Sequence, residues 1–389
     1  MLIKNEISLA IIQKLLECQT ISRAEFIRAH QYRSGSVLEA VDELKSRGVV
    51  VEPERNSRRT GRLSPQLRFS SDAATFMGIE ATAHELFMVK LDCAGEIVEK
   101  WSVAIPSGAD GRIIRQTMLR ELSRWRGKIQ GAALADPGLV DGAMSRSLGA
   151  VGIPQWGGFD SGVMLKNELD CVETLVLPEC SARTYSEYER RRRTDGGDKS
   201  LFLLHLDKGG GAGFISGGEL FRGDNFRAME LGHLVVKPDG PLCPCGSRGC
   251  LEALVGEAGI VRRVGELLEH QVITTLTAQN VSLTSFVAAV RSRDRAAELL
   301  ALDLCREIAP VFPLVATLLN PGRIVISGRF SRVGTMLLDS ARKMLAERCL
   351  RGTVEALELA ISDGDEYSAA AGAALLVRRN YLLRRIIAS

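Results

Sequence analysis

Four residues, His233, Cys243, Cys245 and Cys250, follow the spacing His-x9-Cys-x-Cys-x4-Cys. A neutral imidazole and three thiolates are the ligand set that tetrahedral Zn²⁺ prefers, and four protein ligands leave no position open for water. The residues between them suit a tight loop. Pro244 stiffens the Cys-x-Cys arc, while Gly246 and Gly249 let the backbone turn sharply enough to bring Cys250 back. Three neighbouring cysteines can also be plain buried thiols, but the glycines and the upstream histidine favour a metal. The spacing predicts a structural Zn²⁺ site that staples a loop and does not by itself make an enzyme.

Around this staple, 389 residues suffice for two or three domains with real cores. A composition of 46% hydrophobic and 25% charged residues is that of an ordinary soluble chain. No run approaches the ~18 apolar residues of a membrane span. The N-terminal stretch mixes acids and bases among its apolar residues, unlike a secretion signal. Nine cysteines without such a signal point to a reducing cytoplasm, with Cys18, Cys93, Cys171, Cys180, Cys305 and Cys349 as free, buried small hydrophobes.

Charge is unevenly spread. Residues 1–70 hold 12 Lys+Arg against 8 Asp+Glu, and Arg55, Arg58, Arg59, Arg62 and Arg68 occur with no acid between them. What precedes this cluster gives it meaning. Ile7, Ile11, Ile12, Leu15 and Leu16 recur at helical spacing. Thr20 or Ser22 can cap a second helix from Arg23 to Ala29, with Glu25 completing a capping box on Ser22. Ser34 or Ser36 can cap a third, which carries Val37, Ala40, Val41 and Leu44 on one face and ends at Arg47-Gly48. Val49-Val50-Val51 is strand-like, and the arginine-rich loop would be a wing before a return strand near Leu67-Arg68-Phe69. This pattern reads as a winged helix-turn-helix over 1–70. Arg33, Ser34, Ser36 and Glu39, with Lys45 or Arg47, are candidates to face the major groove of double-stranded DNA. Arg58, Arg59 and Arg62 would supply salt-dependent phosphate contacts. A tri-helical module can also serve protein interaction alone.

From about residue 72, strands alternate with helices. Phe76–Ile79, Leu86–Asp92, Ile97-Val98, Gly131–Leu134, Leu201–Leu206 and Arg323–Ser327 read as strands, and an alanine-rich helix begins at Ser368.

The stretch Met229-Glu230-Leu231-Gly232-His233, followed by the Cys-x-Cys-Gly-x-x-Gly-Cys-Leu-Glu run from Cys243 to Glu252, resembles the signature of the ROK family, which comprises bacterial sugar kinases and related transcriptional repressors. Asn5, Ser22-Arg23-Ala24-Glu25 and Gly61-Arg62 resemble the N-terminal module of the repressor branch. The resemblance implies an α/β fold: a winged helix-turn-helix followed by a two-lobed actin-like body with a central sugar cleft. It further implies a homodimer or homotetramer, with the zinc site shaping the substrate side. The lobes would be 71–182, completed by 366–389, and 183–365.

The kinase chemistry is missing from its expected places. In the family, an Asn-Asp pair opens a helix and its Asp accepts the sugar hydroxyl proton. Here the matching residues are Cys180 and Ser181, fixed by Glu189 at the family's spacing, and a serine of ordinary pKa is no carboxylate base. Glu179 has the right chemistry in the wrong register. The first phosphate loop, Glu80-Ala81-Thr82-Ala83-His84, has no glycine. The second keeps Gly209, Gly210, Gly211 and Gly213 but puts Asp207-Lys208 where Gly-Thr is usual. Glu230, His233 and Glu252 match positions that touch sugar hydroxyls or sit beside them; Glu230 and Glu252 can equally orient metal ligands. The sequence therefore reads as a cytoplasmic regulator, a repressor by resemblance, with a catalytically inactive body that binds a sugar or sugar phosphate and reads an inverted-repeat operator. An active sugar kinase using Glu179 and an effector-free DNA-binding protein are the alternatives.

Overall fold

The computed structural model describes residues 2–52, 65–195 and 199–387. Helix α1 (Leu2–Cys18) turns Ile7, Ile11, Ile12 and Leu15 inward, as the 3.6-residue period demands. After β1 (Ile21–Ser22) comes α2 (Arg23–His30), which opens on the expected capping box. The Ser22 hydroxyl accepts from the Glu25 N–H, and the Glu25 carboxylate accepts from the Ser22 N–H at 2.9 Å. Helix α3 (Ser34–Ser46) buries Val37, Ala40, Val41 and Leu44. Neither Ser34 nor Ser36 caps it, because helical geometry already begins at Ser34; Arg33 is the N-cap residue and offers no side-chain cap. Its C-terminus follows the Schellman pattern, with Gly48 N–H donating to Lys45 O and Val49 N–H to Leu44 O. Strands β2 (Val50–Val51) and β3 (Gln66–Phe69) complete an antiparallel sheet of order β1-β3-β2. Three helices and this sheet form the expected helix-turn-helix arrangement. Arg55, Arg58, Arg59 and Arg62 lie outside the described residues.

The chain divides into two compact units, 1–197 with 366–389, and 198–365. In the first, β4 (Thr75–Ala81), β5 (Glu85–Asp92) and β6 (Ile97–Ala104) form an antiparallel meander. There follow α4 (Gly111–Leu122), β7 (Gly131–Asp136), the hairpin β8 (Leu139–Val140) and β9 (Ser147–Gly149), α5 (Ser161–Leu169), β10 (Glu173–Pro178) and α6 (Glu179–Asp195). The sheet order is β10-β7-β4-β5-β6, with β7 and β10 added in parallel.

The second unit repeats the plan. Strands β11 (Leu201–Leu206), β12 (Gly210–Ser216) and β13 (Glu219–Leu220) are antiparallel. Helices α7 (Leu251–Val255), α8 (Glu257–Glu269), α9 (Leu283–Arg291), α10 (Arg295–Ile308) and α11 (Val311–Leu319) precede β14 (Arg323–Ser327). Then come α12 (Thr335–Arg348), α13 (Arg351–Ala356) and β15 (Glu358–Ile361), giving the order β13-β12-β11-β14-β15 with β14 and β15 parallel. Three antiparallel strands followed by two parallel ones, used twice, is the actin-like architecture. Strands β11 and β14 keep their sequence-predicted limits because both are apolar runs buried throughout most of their length.

The last helix, α14 (Ser368–Ile387), belongs to the first unit, where it packs on α6, β4 and β7. A Cβ at Gly372 would lie 1.8 Å from the Ala182 carbonyl oxygen, so α14 and α6 meet backbone to backbone. This contact keeps all of α6 in the first unit. The division consequently falls at 197/198, whereas the sequence reading puts it at 182/183. Among the described residues, no helix is long and apolar enough to cross a membrane.

Candidate functional site

The second unit brings His233, Cys243, Cys245 and Cys250 together, with one ligand atom from each within 4.8 Å of the others. The 3₁₀ turn Leu231–His233 presents the imidazole. A short bridge between Leu242 and Arg248 folds the intervening loop, in which Cys243 N–H donates to Ser247 O at 2.8 Å and Gly246 N–H to Cys243 O at 2.9 Å. Gly249 sits at φ 70°, and a Cβ there would lie 1.5 Å from the Lys237 carbonyl oxygen, so only glycine fits.

The spacing suits a tetrahedral ion. Metal–sulfur bonds of about 2.3 Å and metal–nitrogen bonds of about 2.0 Å imply S···S edges near ~3.8 Å and S···N edges near ~3.5 Å. Cys245 Sγ and Cys250 Sγ are 3.7 Å apart, and Cys243 Sγ is 3.7 Å from His233 Nδ1. Burial pushes the Cys243 thiol up to about 12, so thiolates this close together need a cation to coexist. Cys243 and Cys250 are buried, His233 is half-buried and Cys245 exposed. The group can hold a metal ion.

Glu252 lies in the first turn of α7, two residues after Cys250, and its Oε2 accepts from the Gly210 N–H at 3.4 Å. It thereby ties the metal loop to the β11–β12 turn. Glu230 is exposed as a residue, but burial of its carboxyl group, with Glu252 nearby, raises it above the usual carboxylate range although His233 opposes the rise. In the same turn Asp207 is clamped by Arg329. The Arg329 backbone N–H donates to Oδ2 at 3.0 Å, its Nε to Oδ1 at 2.9 Å, and Nη2 also reaches Oδ1. Burial opposes the Asp207 charge, but these hydrogen bonds prevail and hold the carboxyl below its usual range. Arg329 Nη1 continues to Thr284 Oγ1 at 3.0 Å.

In the first unit, Glu179, Cys180 and Ser181 form the opening turn of α6. Glu179 Oε1 accepts from Arg183 Nε at 2.7 Å, and Glu80 Oε1 on β4 accepts from Arg183 Nη2 at 2.9 Å. Burial alone would lower the Arg183 pKa, yet the two carboxylates more than offset it and raise it. Both carboxylates thus share one guanidinium, whose side chain is 11% exposed. The turn after Glu80 is closed by Thr82, whose Oγ1 donates to Glu85 O at 2.8 Å.

In the N-terminal module, Arg33, Ser34 and Glu39 are exposed along α3 and Ser36 is half-buried. Lys45 is turned aside to Glu52 at 2.9 Å, where Arg23 also binds, and Arg47 lies 3.8 Å from Glu43. Leu38, 46% exposed, and Asp42 share the open face of α3; the sequence reading omits both, although their i+3 and i+4 spacing from Gly35, Leu38 and Glu39 marks the stripe. No local motif marks Arg183 or Arg329. Their partners Glu80 and Asp207 lie 103 and 122 residues away.

The ROK family profile matches residues 76–380. Among characterised proteins, the chain is similar to the DNA-binding transcriptional dual regulator NagC of Escherichia coli (strain K12), 23% identical over 98% of this chain and 94% of that one. It is also similar to a glucokinase of Halalkalibacterium halodurans, 26% identical over 78% of this chain and 95% of the kinase. A solved ROK family transcriptional regulator, described as a homologue of the E. coli MLC protein, superposes with a TM-score of 0.81 at 21% identity, covering 100% of both chains. Matched by the family profile over most of its length, this chain belongs to the ROK family.

Proposed function

We propose that this protein is a sequence-specific, DNA-binding transcriptional repressor of the ROK type whose sugar-kinase body senses and does not phosphorylate. The observation that carries the reading is the module of α1, α2, α3 and the β1-β3-β2 sheet ahead of the body, with an open polar face on α3. Arg33, Ser34, Ser36 and Glu39 would face base edges in the major groove, and Arg58, Arg59 and Arg62 would contact phosphates from the wing. A dimer presenting two such helices would read an inverted repeat.

Loss of phosphoryl transfer rests on the α6 opening turn. Ser181 stands where the family has its base, and Glu179, the nearest substitute, is engaged by Arg183. A carboxylate stabilised by a guanidinium is a poor proton acceptor. Asp207, beside the second loop, is engaged by Arg329, so an ion pair stands where the family has Gly-Thr along the phosphate path. The metal is proposed to be Zn²⁺, held by His233, Cys243, Cys245 and Cys250, where it would fix the segment carrying Glu230 and Glu252. Those carboxylates and His233 suit the hydroxyls of a sugar or sugar phosphate, whose binding would shift the population of DNA-competent conformers. Incubating the purified protein with ATP and a hexose panel, and in parallel with genomic DNA fragments, tests the reading: it expects DNA retention without ADP release. ADP release dependent on a sugar would overturn it in favour of a kinase.

A further inference from the structure

The first unit contains a connection between the opening turn of α6 and the DNA-binding module that neither the motifs nor the family relationship assigns to particular residues. Helix α6 spans 17 residues, about 25 Å of rigid rod. Its first turn carries Cys180 and Ser181 and is pinned by the Glu80–Arg183–Glu179 triad. Its last turns carry arginines that grip other elements. Arg192 Nη2 donates to the Leu16 carbonyl oxygen, one of the four that the C-terminal end of α1 leaves without an intrahelical partner, and to Glu189 Oε2 at 2.6 Å. Arg193 Nη1 donates to Glu96 Oε1 at 2.9 Å and Nη2 to Gly95 O at 3.2 Å. With its amide oxygen turned toward Arg193, Gln19 at the end of α1 accepts from Nε at 2.9 Å.

The neighbouring helix makes a parallel grip. Arg378 on α14 donates to Cys93 O at 2.7 Å and Ala94 O at 3.1 Å, and its guanidinium lies 5.0 Å from the Phe69 ring centroid on β3. The two helices meet backbone to backbone at Gly372 and Ala182. The chain passes between the units just after α6 and returns just before α14.

We propose that Arg192 and Arg193, with Arg378 beside them, are positioning residues that carry the state of the α6 opening turn to α1 and β3, and so set the pose of the DNA-reading module. This rests on the regulator reading only for its consequence at DNA; the coupling itself is a property of the first unit. A rigid helix transmits displacement along its axis, and arginines bound to a helix end and a turn convert it into movement of those elements.

The test uses full-length protein in a double-mutant cycle between Glu179→Gln, a mild change at one end, and Arg192→Ala at the other. Hydrogen exchange of the 2–18 and 34–46 peptides is one readout, and affinity for genomic fragments selected by the wild type is the other. Arg192→Ala should speed exchange of 2–18 severalfold while the melting temperature of the body holds. Glu179→Gln should alter exchange in 2–18 only when Arg192 is present, and should change DNA affinity roughly fivefold. Arg192→Lys, which keeps the charge but lacks the fork, should show a partial effect and serves if the alanine variant folds poorly. Unchanged exchange of 2–18 in both Arg192 variants, or an equal Glu179→Gln effect with and without Arg192, overturns the coupling. If the wild type selects no DNA yet the exchange cycle shows coupling, the regulator reading fails and the coupling stands.

Discussion

Arg183 on α6 donates to Glu80 on β4 across 2.9 Å, and the same guanidinium holds Glu179 at 2.7 Å. One cation thus bridges two carboxylates at the opening turn of α6. Arg183→Met would leave the nearly buried Glu80 without this guanidinium. It should cost about 3–5 kcal/mol in urea unfolding, whereas Glu179→Gln, at a more exposed carboxyl, should cost about 1 kcal/mol or less. Equal costs would contradict the assignment of Glu80 as the deeper partner.

Restoring the family's base should not restore a kinase. Ser181→Asp adds a carboxylate to the opening turn of α6, but Glu179 stays paired and Asp207 stays clamped by Arg329. ADP release with ATP and glucose or N-acetylglucosamine should remain at the no-enzyme background. Turnover above it would show that Ser181 alone blocks catalysis.

Metal removal should destabilise the second unit. Elemental analysis should find one zinc per chain, and Cys243→Ser or Gly249→Ala should abolish it. The glycine change acts through Lys237, since no Cβ fits 1.5 Å from that carbonyl oxygen. Strong chelators should lower the melting temperature of the wild type and leave that of Cys243→Ser unmoved. A full zinc complement in Cys243→Ser would contradict the ligand set.

A buried carboxyl outside these sites gives a pH signature. Asp136 is fully buried; it accepts from Trp156 Nε1 at 3.1 Å and the Gly138 N–H at 2.9 Å, and Ser147 Oγ also donates to it. Burial raises its pKa from 3.8 to about 6 against those hydrogen bonds. The folded protein therefore keeps this proton where the unfolded chain has lost it. The contribution is fully present below pH 3.8 and is lost as pH rises through about 6, amounting to at most about 3 kcal/mol. Asp136→Asn should remove this fall. The difference between variant and wild-type stability should grow in favour of the variant from pH 4 to pH 7; a flat difference would contradict it.

The open face of α3 carries Glu39 and Asp42, which repel phosphate. Asp42→Asn should tighten binding to unrelated DNA about threefold at low salt, with the gain vanishing at high salt. Ser34→Ala should instead weaken binding to selected sites more than to unrelated DNA. Equal loss on both would place Ser34 on phosphate alone.

What the sequence makes legible is local chemistry. The metal ligands lie within 18 residues of one another, the Ser22–Glu25 box within four, and β11, β14 and the start of α14 are bounded by polar or glycine residues. The third helix shows the limit of that approach: two serines stand at its start, yet the backbone is already helical at Ser34 and no hydroxyl caps it. Pairings such as Glu80 with Arg183, Asp207 with Arg329 and Arg192 with Leu16 join residues more than 100 positions apart. Nothing in a local pattern encodes them, because each depends on the tertiary fold that brings its partners side by side. The sequence marks helix α6 by its first turn, whereas the partners of its last turn follow only from the fold.

The central claim is most directly tested by selecting genomic fragments with the purified protein and measuring affinity for the recovered sites at two salt concentrations. The account predicts an inverted-repeat motif that keeps a clear preference over unrelated DNA at the higher salt. Binding that is sequence-blind and lost with salt would contradict it.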